Sequence, residues 1–221
     1  MLHEHLALLP DNTVAPPTPS RSTARVWVCG LTLLWLAGVG YGLWVLWAYD
    51  NRPGVAATAP GRWPAQTSLT QSRNGSTLVL VAHPQCTCTR ASLDELAEIL
   101  ARAAASRPKT YVLFLKPSNL EDGWEQTDLW RRAAALPDVT VVRDVDGAEA
   151  RRFGVETSGQ TLVYDARGAL IYSGGITGSR GHAGENAGEL ALVALLTRGG
   201  ADRNTANVFG CSLFSSADRR F

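Results

Sequence analysis

The sequence TLVLVAHPQCTCTRASLDELAEILARAAA, residues 77–105, places an apolar strand directly before an amphipathic helix, with two cysteines between them. Residues 77–82 form the nearly continuous apolar run that a buried parallel strand requires. Apolar side chains then recur at helical spacing and predict one buried helix face: Leu93, Leu96, Ile99 and Leu100. Ser92 and Glu95 fit a capping box inside this stretch, so the first residue of the helix stays open.

The rest of the soluble sequence alternates between strand and helix patterns. Further strands are predicted at residues 110–115, 139–142, 161–164 and 169–172, the last two as a hairpin. Further helices are predicted at residues 125–136, 148–153 and 186–197. This order predicts an α/β fold in which a central mixed sheet is flanked by helices.

A long apolar segment precedes this domain, residues 26–48 (VWVCGLTLLWLAGVGYGLWVLWA), and contains no charged residue. As a helix it would extend roughly 35 Å, which is enough to cross a hydrocarbon core of about 30 Å. Trp27 at one end and Trp44 and Trp47 at the other suit the headgroup level. A secretory signal peptide has a shorter apolar region, so we expect one uncleaved N-terminal transmembrane helix.

The flanks of this helix indicate its orientation only weakly, because basic residues occur close to both ends. The short N-terminal tail favours an N-in, C-out anchor in the cell inner membrane. The soluble domain would then be periplasmic or otherwise extracytoplasmic. Gly38 and Gly42 form a small-xxx-small pair, so a homodimer through the transmembrane helix stays open.

Composition divides the chain into five predicted segments. They are a disordered tail (1–25), a transmembrane helix (26–48), a Pro/Gly-rich linker (49–76), an α/β domain (77–200) and a C-terminal tail (201–221) that carries Cys211. The 21 basic and 20 acidic residues nearly balance, which predicts no nucleic-acid partner. The 4 cysteines are too few for a disulfide-stapled scaffold of this length.

Residues 77–198 resemble the thioredoxin fold, and several landmarks carry the resemblance. They are the strand that leads into a cysteine pair, the sequence FGV at residues 153–155, and the DARG turn at residues 165–168. The strings HPQCTCTRAS (83–92), GITGSRGH (175–182) and VFGC (208–211) together resemble bacterial membrane-anchored thioredoxin-like proteins of the RedB type. This resemblance implies the architecture and leaves the chemistry open.

Cys86 and Cys88 lie at the loop-to-helix junction where a thioredoxin-like domain keeps its redox chemistry. A helix N-terminus favours a thiolate over a thiol. The spacing is Cys-x-Cys, however. On an ideal helix the side chains of residues two positions apart point about 200° apart, so at least Cys86 should lie on the loop. The pair predicts a thiol–disulfide oxidoreductase in which Cys86 is the more exposed attacking thiol. Cys88 or Cys211 would resolve the mixed disulfide.

Gly159 occupies the position where thioredoxins place a cis-proline opposite the cysteine pair. Without proline, this loop lacks the family's usual device for presenting backbone to a substrate. It also lacks the family's block against metal binding. The departure weakens the oxidoreductase prediction that the resemblance implies.

Two further functions stay open from the sequence. His83, His182 and Cys211 could surround Cys86 and Cys88 as a soft nitrogen and sulfur site for copper(I), in a protein that binds or delivers the metal. A non-enzymatic membrane accessory protein is the other alternative. Otherwise no cofactor is expected, and the expected partners are exported or membrane thiol proteins. His83 as a strand cap, His182 as an exposed loop residue and Cys211 as a packed apolar residue are the simpler interpretations.

Overall fold

The computed structural model describes residues 21–55 and 58–214. Helix α1 spans Arg21–Asp50 and encloses the predicted transmembrane segment. It is long and apolar enough to cross a membrane. Most of the predicted disordered tail, residues 1–20, lies outside the described residues, as do residues 215–221 of the predicted C-terminal tail. The chain divides after Leu46 into two units, and the second unit contains the α/β domain.

The α/β domain contains six strands and four further α-helices among the described residues. The strands are β1 (Thr77–Ala82), β2 (Lys109–Lys116), β3 (Val139–Val145), β4 (Thr161–Tyr164), β5 (Leu170–Gly174) and β6 (Thr205–Ala206). The helices are α2 (Thr87–Arg102), α3 (Asp128–Ala134), α4 (Ala148–Arg152) and α5 (Ala187–Arg198), and a short 3₁₀ helix follows α2 at Ala104–Ser106. The predicted element order is confirmed, with α3 shorter than predicted because Thr127 is its N-cap.

The strands form one sheet in the order β3-β2-β1-β4-β5-β6. Strand β1 pairs in parallel with β2 and antiparallel with β4, and β2 pairs in parallel with β3. Strands β4 and β5 form the predicted antiparallel hairpin, and β6 adds to β5 in parallel. This is the thioredoxin-like arrangement that the sequence predicts, with β6 as an addition that the sequence did not reveal.

Both faces of the sheet are covered, as the apolar composition of β1 requires. Leu78 and Leu80 face α2 and α5, where Leu96 and Leu192 are fully buried. Val79 and Val81 face the opposite cluster. That second cluster includes Phe153 and Tyr164 and also residues that precede and follow the central elements in sequence: Trp63, Leu69, Leu213 and Phe214. Packing on both faces therefore holds strand β1, which ends shortly before the two cysteines.

The segment predicted as a linker makes ordered contacts with the sheet. The Trp63 ring lies edge-on to Phe153 and Tyr164, with centroids 5.2 Å and 5.3 Å apart. The Tyr164 hydroxyl donates to the Pro60 carbonyl at 3.1 Å, and the Ser68 amide donates to Glu149 at 3.0 Å. Folded structure therefore begins before Thr77. Because this segment is rich in Pro and Gly and carries no periodic pattern, the sequence predicted a tether.

Candidate functional site

Cys86 is the N-cap residue of α2, and its backbone is extended, with φ −98° and ψ 124°. Cys88 lies in the first turn of the helix. This confirms that Cys86 lies before the regular helix and allows both side chains to reach one point. Ser92 lies inside α2, where its hydroxyl donates to the Cys88 carbonyl at 3.1 Å, so the predicted capping box at Ser92 is wrong.

Cys211 reaches the same point on a mostly irregular segment, residues 205–214, which we call the C-terminal segment. The Ser158 amide donates to the Cys211 carbonyl at 2.9 Å, and the Leu213 amide donates to the Glu156 carbonyl at 2.9 Å. These two bonds are the antiparallel pairing of a short bridge. Gly210 fits closely here, because a Cβ atom on it would lie 1.8 Å from the Ser158 carbonyl oxygen.

The three thiols of the soluble domain meet at this junction. The sulfur atoms of Cys86 and Cys211 are 2.7 Å apart, and Cys88 lies close enough to Cys86 to influence its pKa. Cys86 is 2% exposed and Cys88 is 4% exposed, whereas Cys211 is exposed. The prediction that Cys86 is the more exposed thiol is therefore wrong, since the C-terminal segment covers it. The interpretation of Cys211 as a buried apolar residue is also wrong.

Cys86 is the thiol that this arrangement ionises. The Cys211 thiol, whose sulfur lies 2.7 Å away, lowers the pKa of Cys86 most, and Cys88 lowers it further, while burial opposes both effects. Their interaction with Cys86 raises the pKa of Cys88 and of Cys211, and burial raises both further. Cys86 is therefore the thiol of the three that ionises most readily.

The loop opposite the cysteines is held by hydrogen bonds in place of a proline. Gly159 has φ +90°, and its amide donates to the Val81 carbonyl at 2.7 Å. The Ser158 hydroxyl accepts from the His83 amide and lies 2.9 Å from the Thr89 hydroxyl. No cis peptide bond occurs among the described residues. The loop thus keeps a fixed backbone through a different set of contacts.

The two histidines do not complete a metal site. His83 accepts a hydrogen bond at Nδ1 from the Gln85 amide, and burial lowers its pKa against the opposing effect of the Cys86 thiolate. His182 is exposed, with Nδ1 2.7 Å from the Arg180 carbonyl. Within residues 21–55 and 58–214, no group of three or more His, Cys, Asp and Glu residues is arranged to hold a metal ion.

Arg180 is a site residue that the sequence did not single out. Its guanidinium donates to the Gly210 carbonyl at 2.7 Å, and its charge acts on the thiols of Cys88 and Cys211. It therefore holds the C-terminal segment directly beside Cys211. Several glycines surround Arg180 in the sequence, and the only available signal was a single cation among them.

Comparison with known proteins identifies the fold. No family model matches this sequence, and no curated protein matches it. An uncharacterized conserved protein from Geobacillus kaustophilus is similar in structure, with 14% identity and a TM-score of 0.55 over 74% of this chain and 98% of that chain.

Two further solved structures are similar at lower scores. A hypothetical protein from Sinorhizobium meliloti has 15% identity and a TM-score of 0.49, covering 76% of this chain and 98% of that one. The exposed lipoprotein thioredoxin of Streptococcus pneumoniae has 17% identity and a TM-score of 0.42, covering 57% of this chain and 86% of that one. The similarity to the Geobacillus kaustophilus protein, at 14% identity, concerns the fold alone, so the chemistry must be argued from the site.

Proposed function

We propose that this protein is a membrane-anchored thiol–disulfide oxidoreductase whose redox couple is Cys86 and Cys211. The observation that carries the proposal is the distance of 2.7 Å between their sulfur atoms. A disulfide bond is about 2.05 Å long, so a small side-chain movement suffices to form it. The sequence alone favoured Cys86 with Cys88 and kept Cys211 as an alternative; the geometry supports the alternative.

The couple exchanges two electrons with a partner. In the reduced protein, a thiolate of the couple attacks a partner disulfide, and one partner sulfur leaves and takes a proton. The second thiol of the couple then loses its proton and attacks the mixed disulfide, which releases the other partner sulfur as a thiol. The protein ends with a Cys86–Cys211 disulfide and the partner with two thiols. The reverse steps oxidise a partner.

Cys88 supports this couple without belonging to it. Its interaction with Cys86 lowers the pKa of Cys86, but the two sulfur atoms in direct contact are those of Cys86 and Cys211. Cys88 is 4% exposed, whereas Cys211 is exposed, so a partner reaches Cys88 less readily. The Cys-Thr-Cys sequence therefore supplies one redox cysteine and one supporting thiol. The geometry offers no comparable support for copper binding.

The cellular setting is part of the proposal. Helix α1 would anchor the protein in the inner membrane and hold the α/β domain on the extracytoplasmic side, where disulfides persist. The partners would be exported or membrane proteins with thiols. Membership of the RedB type is proposed on the three sequence strings that resemble it, two of which carry the cysteines of the site.

A disulfide exchange assay tests the proposal. The full chain in detergent is mixed with a fluorescent glutathione disulfide, and dithiothreitol-driven cleavage is followed over time. We expect catalysis by the wild type and by Cys29→Ala, and loss of most of it in Cys86→Ala and in Cys211→Ala. Full catalysis by both site variants, or none by the folded wild type, would contradict the proposed function.

A further inference from the structure

We propose that partner thiols react with the oxidised protein at Cys211, with Cys86 as the leaving group, and that the protein oxidises dithiol partners. This inference rests on the proposed Cys86–Cys211 couple and adds the point of attack and the direction of electron flow. It assigns Cys211, on the C-terminal segment, as the residue that forms the mixed disulfide. The partner class is a reduced protein dithiol.

Access to the two sulfur atoms is the first argument. Cys86 is 2% exposed beneath the C-terminal segment, whereas Cys211 is exposed. An incoming thiolate must approach the sulfur that it attacks, so access decides which half of a disulfide reacts. The residues beside Cys211 that anchor its segment are themselves buried: Val208, Phe209, Leu213 and Phe214. The segment thus presents Cys211 outward and keeps Cys86 covered.

The stability of the leaving group is the second argument. When the disulfide breaks at Cys211, Cys86 departs as a thiolate at the N-cap of α2, where the positive end of the helix dipole stabilises it. The Thr89 amide donates to the Cys86 carbonyl at 3.0 Å, which fixes Cys86 at this helix end. A leaving thiol of low pKa leaves faster, and the pKa of Cys86 is the lowered one of the three.

The same position sets the direction. The helix N-terminus stabilises Cys86 as a thiolate in the reduced protein and gains nothing comparable from a neutral disulfide sulfur. A disulfide whose reduced form is stabilised is a strong oxidant. The two hydrogen bonds of the bridge to Glu156 and Ser158 involve backbone atoms, which the redox reaction leaves unchanged.

The exchange balances in two steps. A partner thiolate attacks the Cys211 sulfur, the Cys86–Cys211 bond breaks, and Cys86 leaves as a thiolate. A second partner thiolate then attacks the partner's own sulfur in the mixed disulfide, and Cys211 leaves and takes up a proton. The partner has lost two electrons and gained a disulfide. The protein has gained those two electrons and now carries the Cys86 thiolate and the Cys211 thiol.

The oxidised full chain tests the point of attack. The Cys29→Ala chain in detergent, carrying the Cys86–Cys211 disulfide, is mixed with reduced glutathione and quenched in acid after short times, and the mixed disulfides are mapped by mass spectrometry. We expect glutathione on Cys211 to exceed glutathione on Cys86 at least about tenfold. Equal amounts, or more glutathione on Cys86, would overturn the inference.

The wild-type chain tests the direction without any substitution. It is equilibrated in mixtures of reduced and oxidised glutathione, and the fraction that carries the Cys86–Cys211 disulfide is measured. In the mixture where half of the glutathione is oxidised, we expect most of the protein to lack the Cys86–Cys211 disulfide. If most of the protein carries the disulfide in that mixture, the inference is overturned. If the Cys86–Cys211 disulfide never forms, the proposed function fails as well, so the two failures are distinguishable.

Discussion

Cys86 shows how the position of a cysteine in the fold sets the acidity of its thiol. At the N-cap of α2 its sulfur lies 2.7 Å from that of Cys211, and this contact lowers the pKa of Cys86 and favours the thiolate. Because its folded-state pKa lies below that of an unfolded thiol, the contact stabilises the reduced fold above the unfolded pKa. The stabilisation is lost as the pH falls through the folded pKa.

Removing the Cys211 side chain should weaken this thiolate. In reduced Cys211→Ala the largest donor to Cys86 is gone, and a hydrogen bond to an ionised group contributes about 1.5–3 kcal/mol. We therefore expect the pKa of Cys86 to rise by about 1 to 2, measured by thiolate absorbance against pH. Cys29→Ala is the control and should titrate as the wild type does. An unchanged Cys86 titration in Cys211→Ala would contradict the hydrogen-bond assignment.

Gly159 should not tolerate the proline that its position suggests. Its φ of +90° is closed to proline, and its amide donates to Val81. We expect Gly159→Pro to lower the free energy of unfolding by about 3 kcal/mol in urea denaturation. Gly159→Ala keeps the amide and should cost less, although its Cβ would lie 2.9 Å from the Ser92 hydroxyl. A proline variant as stable as the wild type would refute this account of the loop.

At the scale of elements, the periodic segments were predictable and the docked segments were not. The apolar run of β1 and the spacing of Leu93 and Leu96 are local patterns, and they predicted the order of strands and helices. The C-terminal segment has no periodicity, and its two bonds to Glu156 and Ser158 span more than fifty residues of chain. Only the folded structure shows that Gly210 brings Cys211 to Cys86.

Gly210 should control whether the couple can form. In Gly210→Val, atoms would occupy the space of the Ser158 carbonyl, so the C-terminal segment should leave that position. We expect the Cys86–Cys211 disulfide to form at least about tenfold more slowly in air oxidation, because the two thiols lose their fixed proximity. Gly200→Val is the control, since no atom lies within 4 Å of a Cβ there. Equal rates in both variants would show that docking at Ser158 is not required.

At the scale of the whole molecule, the apolar helix and the thiol site together predict on which side of the membrane the α/β domain lies. The proposed function places the α/β domain on the extracytoplasmic side of the membrane, where disulfides persist. We expect a membrane-impermeant maleimide, added to intact cells after mild reduction, to modify Cys211 in the wild type. Cys211→Ser is the control and should lose this label. Modification that requires cell lysis would place the domain on the opposite side.

The central claim is that Cys86 and Cys211, rather than Cys86 and Cys88, form the redox couple. The most direct measurement is disulfide mapping by mass spectrometry of the oxidised full chain, after free thiols are alkylated and the protein is digested. The structure predicts a Cys86–Cys211 disulfide with Cys88 alkylated. A Cys86–Cys88 disulfide with Cys211 alkylated, or alkylation of all three cysteines, would contradict it.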